Sequence, residues 1–121
     1  MSTRTITGNL ANDPEVVPTG SISSTKFRFI ENTGDYRHGK FAPHDTPTTH
    51  HVEARFELGQ TTAATLHKGA PVAVVGREHT NSWGPDDNRS YGRIIDADII
   101  GVDLNRAVAH VRRTRKPDEE A

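Results

Sequence analysis

Apolar and polar positions alternate with a period of two over several short stretches of the chain, the spacing at which side chains share one face of a strand. "RTITGNL", residues 4–10, sets Ile6 and Leu10 on either side of Gly8, a glycine suited to a bulge or a close backbone approach. "DPEVVPTGS" ends in a Pro-Thr-Gly turn signal, and "STKFRFIE" follows as a strand with Phe27 and Phe29 set against Lys26, Arg28 and Ile30. Residues 32–49, "NTGDYRHGKFAPHDTPTT", have no periodicity and read as one long loop of the kind that carries function. "HHVEARFEL" alternates again, with Val52, Ala54, Phe56 and Leu58 on one face and His51, Glu53, Arg55 and Glu57 on the other. "GQTTAATLHKG" reads as the one short interior helix, ending at Lys68 with Gly69 as its C-terminal cap. "APVAVVGREHTNSW" and "RSYGRIIDADIIGVDL" form a long hairpin reversed at "GPDDN". The remainder starts at an N-cap candidate, Asn105, and runs out into a charged tail.

The order is strand, strand, long loop, strand, helix, strand, strand. A helix between the third and fourth of five strands predicts an all-β, five-stranded OB-fold barrel. We assign residues 1–106 to that domain and residues 107–121 to the tail. With 121 residues the chain suits one domain, and with 32% hydrophobic residues its core must be thin. The absence of cysteine excludes disulfides, thiol catalysis and thiolate metal sites. No apolar run reaches the length of a membrane span, so a soluble, cytoplasmic protein is expected, without membrane association. The formal charge is -1, yet Asp118, Glu119 and Glu120 crowd the extreme C-terminus, leaving the rest net positive.

Seven histidines invite a metal or an acid–base site. Neighbouring His50 and His51 point to opposite faces of a strand, and no His-x-His or Glu-x-x-His spacing occurs, so no metal and no catalytic residue is expected. Nucleophile elbows and phosphate-cradling glycine loops are equally absent from the sequence, and the expected protein is not an enzyme.

The aromatic residues are more informative. Trp83 is the only tryptophan, and its neighbours Asn81, Ser82, Gly84 and Pro85 offer no apolar partner. Exposed rings beside basic groups are how single-strand binders hold bases. Trp83 on the hairpin tip has that character, its ring held outward by the reversal at Gly84, Pro85 and Asn88. Tyr36 has it too, with Arg37 and Lys40 nearby, a ring folded onto the barrel being the alternative. Phe27 and Phe29 are core residues. Phe56 shares parity with Val52 and Ala54, which leaves both a core and a contact role. "RRTRK", residues 112–116, is either a phosphate grip or a solvated charge run.

At "TITGNLANDPEV", "THHVEARFELGQTTAATLHKGAPVAVVGR" and "NSWGPDDNRSYGRIIDADIIGVDL" the chain resembles bacterial single-stranded DNA-binding proteins of the OB-fold class, in order from Thr3 to Leu104. The resemblance implies a homotetramer that wraps and protects single-stranded DNA in replication, recombination or repair, near the nucleoid and without a cofactor. It places stacking residues at Tyr36, His50, Phe56 and Trp83, and phosphate contacts at Arg37, Lys68, Arg77 and Arg89. Tyr36 and His50 stand where better-studied members carry tryptophan, which implies weaker stacking. The family's usual linker and acidic tip are missing from "KPDEEA", so tail-mediated recruitment of replication proteins is not expected. The alternative from another class is an OB-fold interaction subunit, similar to primosomal accessory proteins, that docks proteins and binds DNA weakly.

Overall fold

The structure, a computed structural model, describes residues 2–19, 22–32, 34–43 and 47–114. Along the chain run β1 (Ser2–Leu10), β2 (Glu15–Thr19), β3 (Ile22–Glu31), β4 (Gly34–Arg37), β5 (Lys40–Pro43), β6 (Thr48–Arg55), α1 (Phe56–Thr65), β7 (Pro71–Trp83) and β8 (Ser90–Val102). β1 pairs with β7, β7 with β8, β8 with β6 and β6 with β3, and β3 returns to β1. Five strands therefore close into a ring, as the predicted barrel requires. The pairs are antiparallel except β6 with β8, which run parallel where His51, Val52 and Glu53 meet Ile94, Ile95 and Asp96.

Closure depends on Gly8, opposite Glu31 in the β1–β3 register. A Cβ at that position would collide with the Ile30 carbonyl oxygen and press on the Phe29 ring, so the close approach anticipated in the sequence is real. Inside the ring, Ile6 and Leu10 from β1 meet Phe27 and Phe29 from β3, Val52 from β6, Val72 and Val74 from β7 and Ile95 from β8. The rings of Phe27 and Phe29 stand edge to face with centroids 6.4 Å apart. Burying a side chain as completely as Phe29 contributes roughly 1.5–3 kcal/mol. α1 packs against β3, where the Thr25 hydroxyl donates to the Gly59 carbonyl oxygen at 2.8 Å in a buried bond.

Four expectations are corrected. β2 was not anticipated as a strand, yet Glu15–Thr19 pairs residue by residue with Ile22–Lys26 of β3. Its Pro18 is tolerable because β2 ends the sheet order, where an edge strand needs fewer donors. The long loop contains a β4–β5 hairpin, joined through His38 and Gly39 at φ 53° and 77°. Two successive positive φ values are what a two-residue hairpin turn with the right twist requires. The helix begins at Phe56 rather than Gly59 and stops at Thr65 rather than Lys68. Leu66 turns extended as its side chain is drawn into the core, and Gly69, at φ 89°, shapes the turn into β7 instead of capping the helix. Finally, Asn105 starts no helix: its N–H donates to the Asp103 carboxylate at 3.0 Å in a tight turn.

Candidate nucleic-acid interface

Alternation turns Phe27, Phe29, Val52 and Ile95 inward and leaves the residues between them outside, and the register decides which of those meet. Arg28 stands opposite His51, His51 opposite Ile94, and Ile94 opposite His79, so one row crosses β3, β6, β8 and β7. The next row is Lys26, Glu53, Asp96 and Arg77. An open groove of about 410 Å³ lies over the first row and reaches Lys26 of the second, with Asn12, Arg28, His51, Ile94 and Trp83 also among its lining residues. Trp83 is the last residue of β7, opposite Ser90, and is 54% exposed. Its indole leans back over Gly92 of β8 and forms part of the groove, rather than projecting from the hairpin tip.

The cations around this groove differ in how far they are committed. Arg28 is exposed and makes no side-chain ion pair among the described residues. Its backbone is fixed on both sides, the N–H donating to Asn12 Oδ1 at 2.7 Å and the carbonyl accepting from the Ala11 N–H at 2.8 Å. Lys26 is also exposed, but in register it lies between Glu15 and Glu53. Arg28 is thus the best-placed uncommitted cation beside Trp83.

A second groove, of about 300 Å³, holds Phe56 with Arg55 and Arg77. Phe56 is 63% exposed at φ 58°, because β6 ends at Arg55 and the strand parity that had left a core role open no longer applies. Arg77 is paired with Asp98 at 3.3 Å, and Arg55 with Glu53 at 3.2 Å and Asp96 at 3.8 Å. Arg89 folds onto its own hairpin, donating to Ser82 Oγ at 2.7 Å and to the Gly84 carbonyl at 3.3 Å. Lys68 lies in the turn after α1 with an exposed side chain, and its N–H donates to Asp13 Oδ1 at 2.7 Å. Tyr36 and Arg37 are in β4, where Tyr36 pairs with Phe41, but their side chains lie outside the described residues.

His50 is placed differently from Trp83. Its Nε2 is 2.6 Å from Glu31 Oε1, within a chain of polar contacts that takes one residue from each ring strand. Glu31 faces Arg4 at 3.6 Å, Arg4 reaches Glu78 at 3.1 Å, and Glu78 meets Arg93 at 3.0 Å. Burial pushes the Glu78 carboxyl up, but hydrogen bonds and charge from Arg93 and Arg4 together outweigh it and hold it below the usual carboxylate range. The sequence reading missed this chain of contacts, as it missed Lys26, Arg28 and His51 at the Trp83 groove. Alternation placed those three on the outer face, but only cross-strand register brings them to the tryptophan. Tyr91, 69% exposed on the same hairpin, was likewise not singled out as a contact.

Among the described residues no cluster of His, Asp and Glu is arranged to hold a metal ion, and no helix is long and apolar enough to cross a membrane. A closed five-strand ring with a helix between its third and fourth strands, and an exposed indole beside basic side chains, defines an OB-fold protein with a nucleic-acid-type surface. No family model matches the chain. The single-stranded DNA-binding protein of Paenarthrobacter nicotinovorans is 32% identical over 127 residues, covering 95% of this chain and 69% of the relative. That of Paenarthrobacter aurescens is 29% identical over 130 residues, covering 98% and 71%. The chain belongs to the single-stranded DNA-binding protein family, whose members are binding proteins rather than enzymes. The fold agrees with two solved structures, each at TM-score 0.75 and 24% identity. One is the small single-stranded DNA-binding protein of Streptomyces coelicolor, covering 88% of this chain and 97% of its own. The other is the second single-stranded DNA-binding protein of Mycobacterium smegmatis, covering 96% and 100%.

Proposed function

We propose that the chain binds and protects single-stranded DNA largely without sequence preference, by base stacking and phosphate contacts, in replication, recombination or repair. The observation that carries this reading is the half-exposed Trp83 in the wall of a groove that also holds the uncommitted Arg28. A base stacked on such a ring contributes roughly 1 to 3 kcal/mol whatever its identity, and a guanidinium nearby suits the phosphate. The names of the two curated relatives support the choice of ligand. Phe56 is the second stacking surface, exposed beside Arg77. Tyr36, Arg37, Lys68 and Arg89 remain proposed contacts on the strength of the resemblance alone. His50 serves less as a platform, since its ring is engaged by Glu31.

The working unit we propose is a homotetramer. β1 pairs with β7 from Ser2 to Asn9, but with β3 only from Gly8 to Leu10, so the other edge of its first half is available to a second copy. The interaction-subunit reading is favoured by one observation, the exposure of Ile99 beside Val75 on the outer face of the β7–β8 pair. Titration with oligo-dT, followed by the single tryptophan's emission, separates the two. Strong quenching with steep salt dependence supports DNA binding, whereas unmoved emission together with tight docking of another protein supports the alternative.

A further inference from the structure

Gly92 lies in β8 opposite Asn81, two residues before Trp83 on the paired strand. A Cβ built on Gly92 would sit 2.8 Å from Cη2 and 3.2 Å from Cζ3 of the Trp83 indole, and among the described residues, its own chain neighbours aside, no other atom is within 4 Å of that point. Ordinary carbon–carbon contact is about 3.5–4.0 Å, so any side chain at this position must drive the ring away. Backbone conformation does not demand glycine here, because Gly92 is not among the glycines with positive φ. The remaining reason for glycine is the tryptophan itself. Asn81 and Gly92 share one step of the ladder, and the indole at Trp83 leans back over that step toward Ile94, which places its outer edge in the groove with His51 and Arg28.

We infer that Gly92 is a positioning residue for nucleotide binding: it is the seat that lets the Trp83 indole lie against β8 at the height where a base on the ring brings its phosphate to Arg28. The inference rests on the proposed stacking role of Trp83 and extends it to a residue with no side chain of its own. Tilted off β8, the ring would still be present and exposed, but it would no longer form a wall of the groove. Ring position and DNA affinity are therefore coupled through Gly92.

The test compares wild type with Gly92→Ala, Gly101→Ala, Trp83→Phe and the Gly92→Ala/Trp83→Phe double variant. Binding of labelled oligo-dT is read by anisotropy and folding by thermal denaturation. Gly101 is the control because it lies exposed on the same strand, and a Cβ there meets nothing within 4 Å. We expect Gly92→Ala to shift the tryptophan emission maximum in the unliganded protein and to weaken oligo-dT binding at least about fivefold, the low end of a stacked base. Gly101→Ala should change neither. In the Trp83→Phe background, whose smaller ring does not reach the Cη2 and Cζ3 positions, adding Gly92→Ala should cost no further affinity. Wild-type affinity with unshifted emission in Gly92→Ala overturns the inference, and so does an equal loss in the phenylalanine background. If Gly92→Ala fails to fold, restoration by Trp83→Phe supports the seat and failure to restore overturns it. If wild type does not bind oligo-dT, the DNA-binding reading fails, and the seat is judged by the unliganded emission alone.

Discussion

Trp83 and Arg28 divide the proposed work in a way that single substitutions can separate. Trp83 is half-exposed and lies outside the core cluster, so Trp83→Ala should weaken oligo-dT binding by roughly 1 to 3 kcal/mol and leave the melting temperature nearly unchanged. A core tryptophan would instead lose roughly 3 to 5 kcal/mol of stability on truncation, which calorimetry would register at once. Arg28→Ala should lower affinity and also flatten the dependence of log affinity on log salt by about 0.7, the increment for one phosphate on a single strand. Arg77→Ala should flatten it less, since Arg77 already spends its charge on Asp98 at 3.3 Å. Trp83 could be singled out from the sequence because its neighbours offered no apolar partner. Arg28 could not, because its value depends on what β6 and β8 place beside it. Phe56 was undecidable by parity, since parity holds only while a strand lasts and β6 ends one residue earlier.

At the scale of elements, the long strands of eight to thirteen residues, such as β6, β7 and β8, were legible, and the shorter ones were not. β4 and β5 have four residues each and lean on a turn at His38 and Gly39, too short for any period to emerge. β2 carries Val16 and Val17 side by side with Pro18 after them, a pattern that reads as a turn until β3 pairs with it. The helix's C-terminal limit shifted because tertiary packing of Leu66 overrides the local glycine signal. Gly8, by contrast, was legible as a close approach, and it gives the sharpest element-level test. Gly8→Ala forces a carbon into the Ile30 carbonyl where β1 and β3 close the ring, so backbone rather than a side chain must move. We expect a loss of about 1–3 kcal/mol, the usual cost of overpacking, seen as a lower urea midpoint with the DNA-binding surface otherwise intact.

For the whole molecule, the first half of β1, which among the described residues is paired along one edge only, predicts self-association, and light scattering at micromolar concentration should give four times the 13.3 kDa chain mass. A monomeric mass would remove the tetramer from the proposal. What no reading along the chain could supply is the line of polar contacts from His50 through Glu31, Arg4 and Glu78 to Arg93, because each member comes from a different ring strand. That line carries a pH dependence. Glu78 is buried, and Arg93 and Arg4 hold its folded pKa below the ordinary value, so on acidification the unfolded chain takes up its proton first. The stability it contributes is therefore complete above the ordinary carboxylate pKa and drains away as pH falls from there through the lower folded value. Glu78→Gln should cost about 1–3 kcal/mol at neutral pH, the range for a hydrogen bond to a charged group and for a buried group left unsatisfied. The variant should then lose less stability than wild type across that acid window. Urea denaturation at a series of pH values measures both. Parallel pH profiles for the two proteins would mean that Glu78 is not the carboxylate that locks the five strands together.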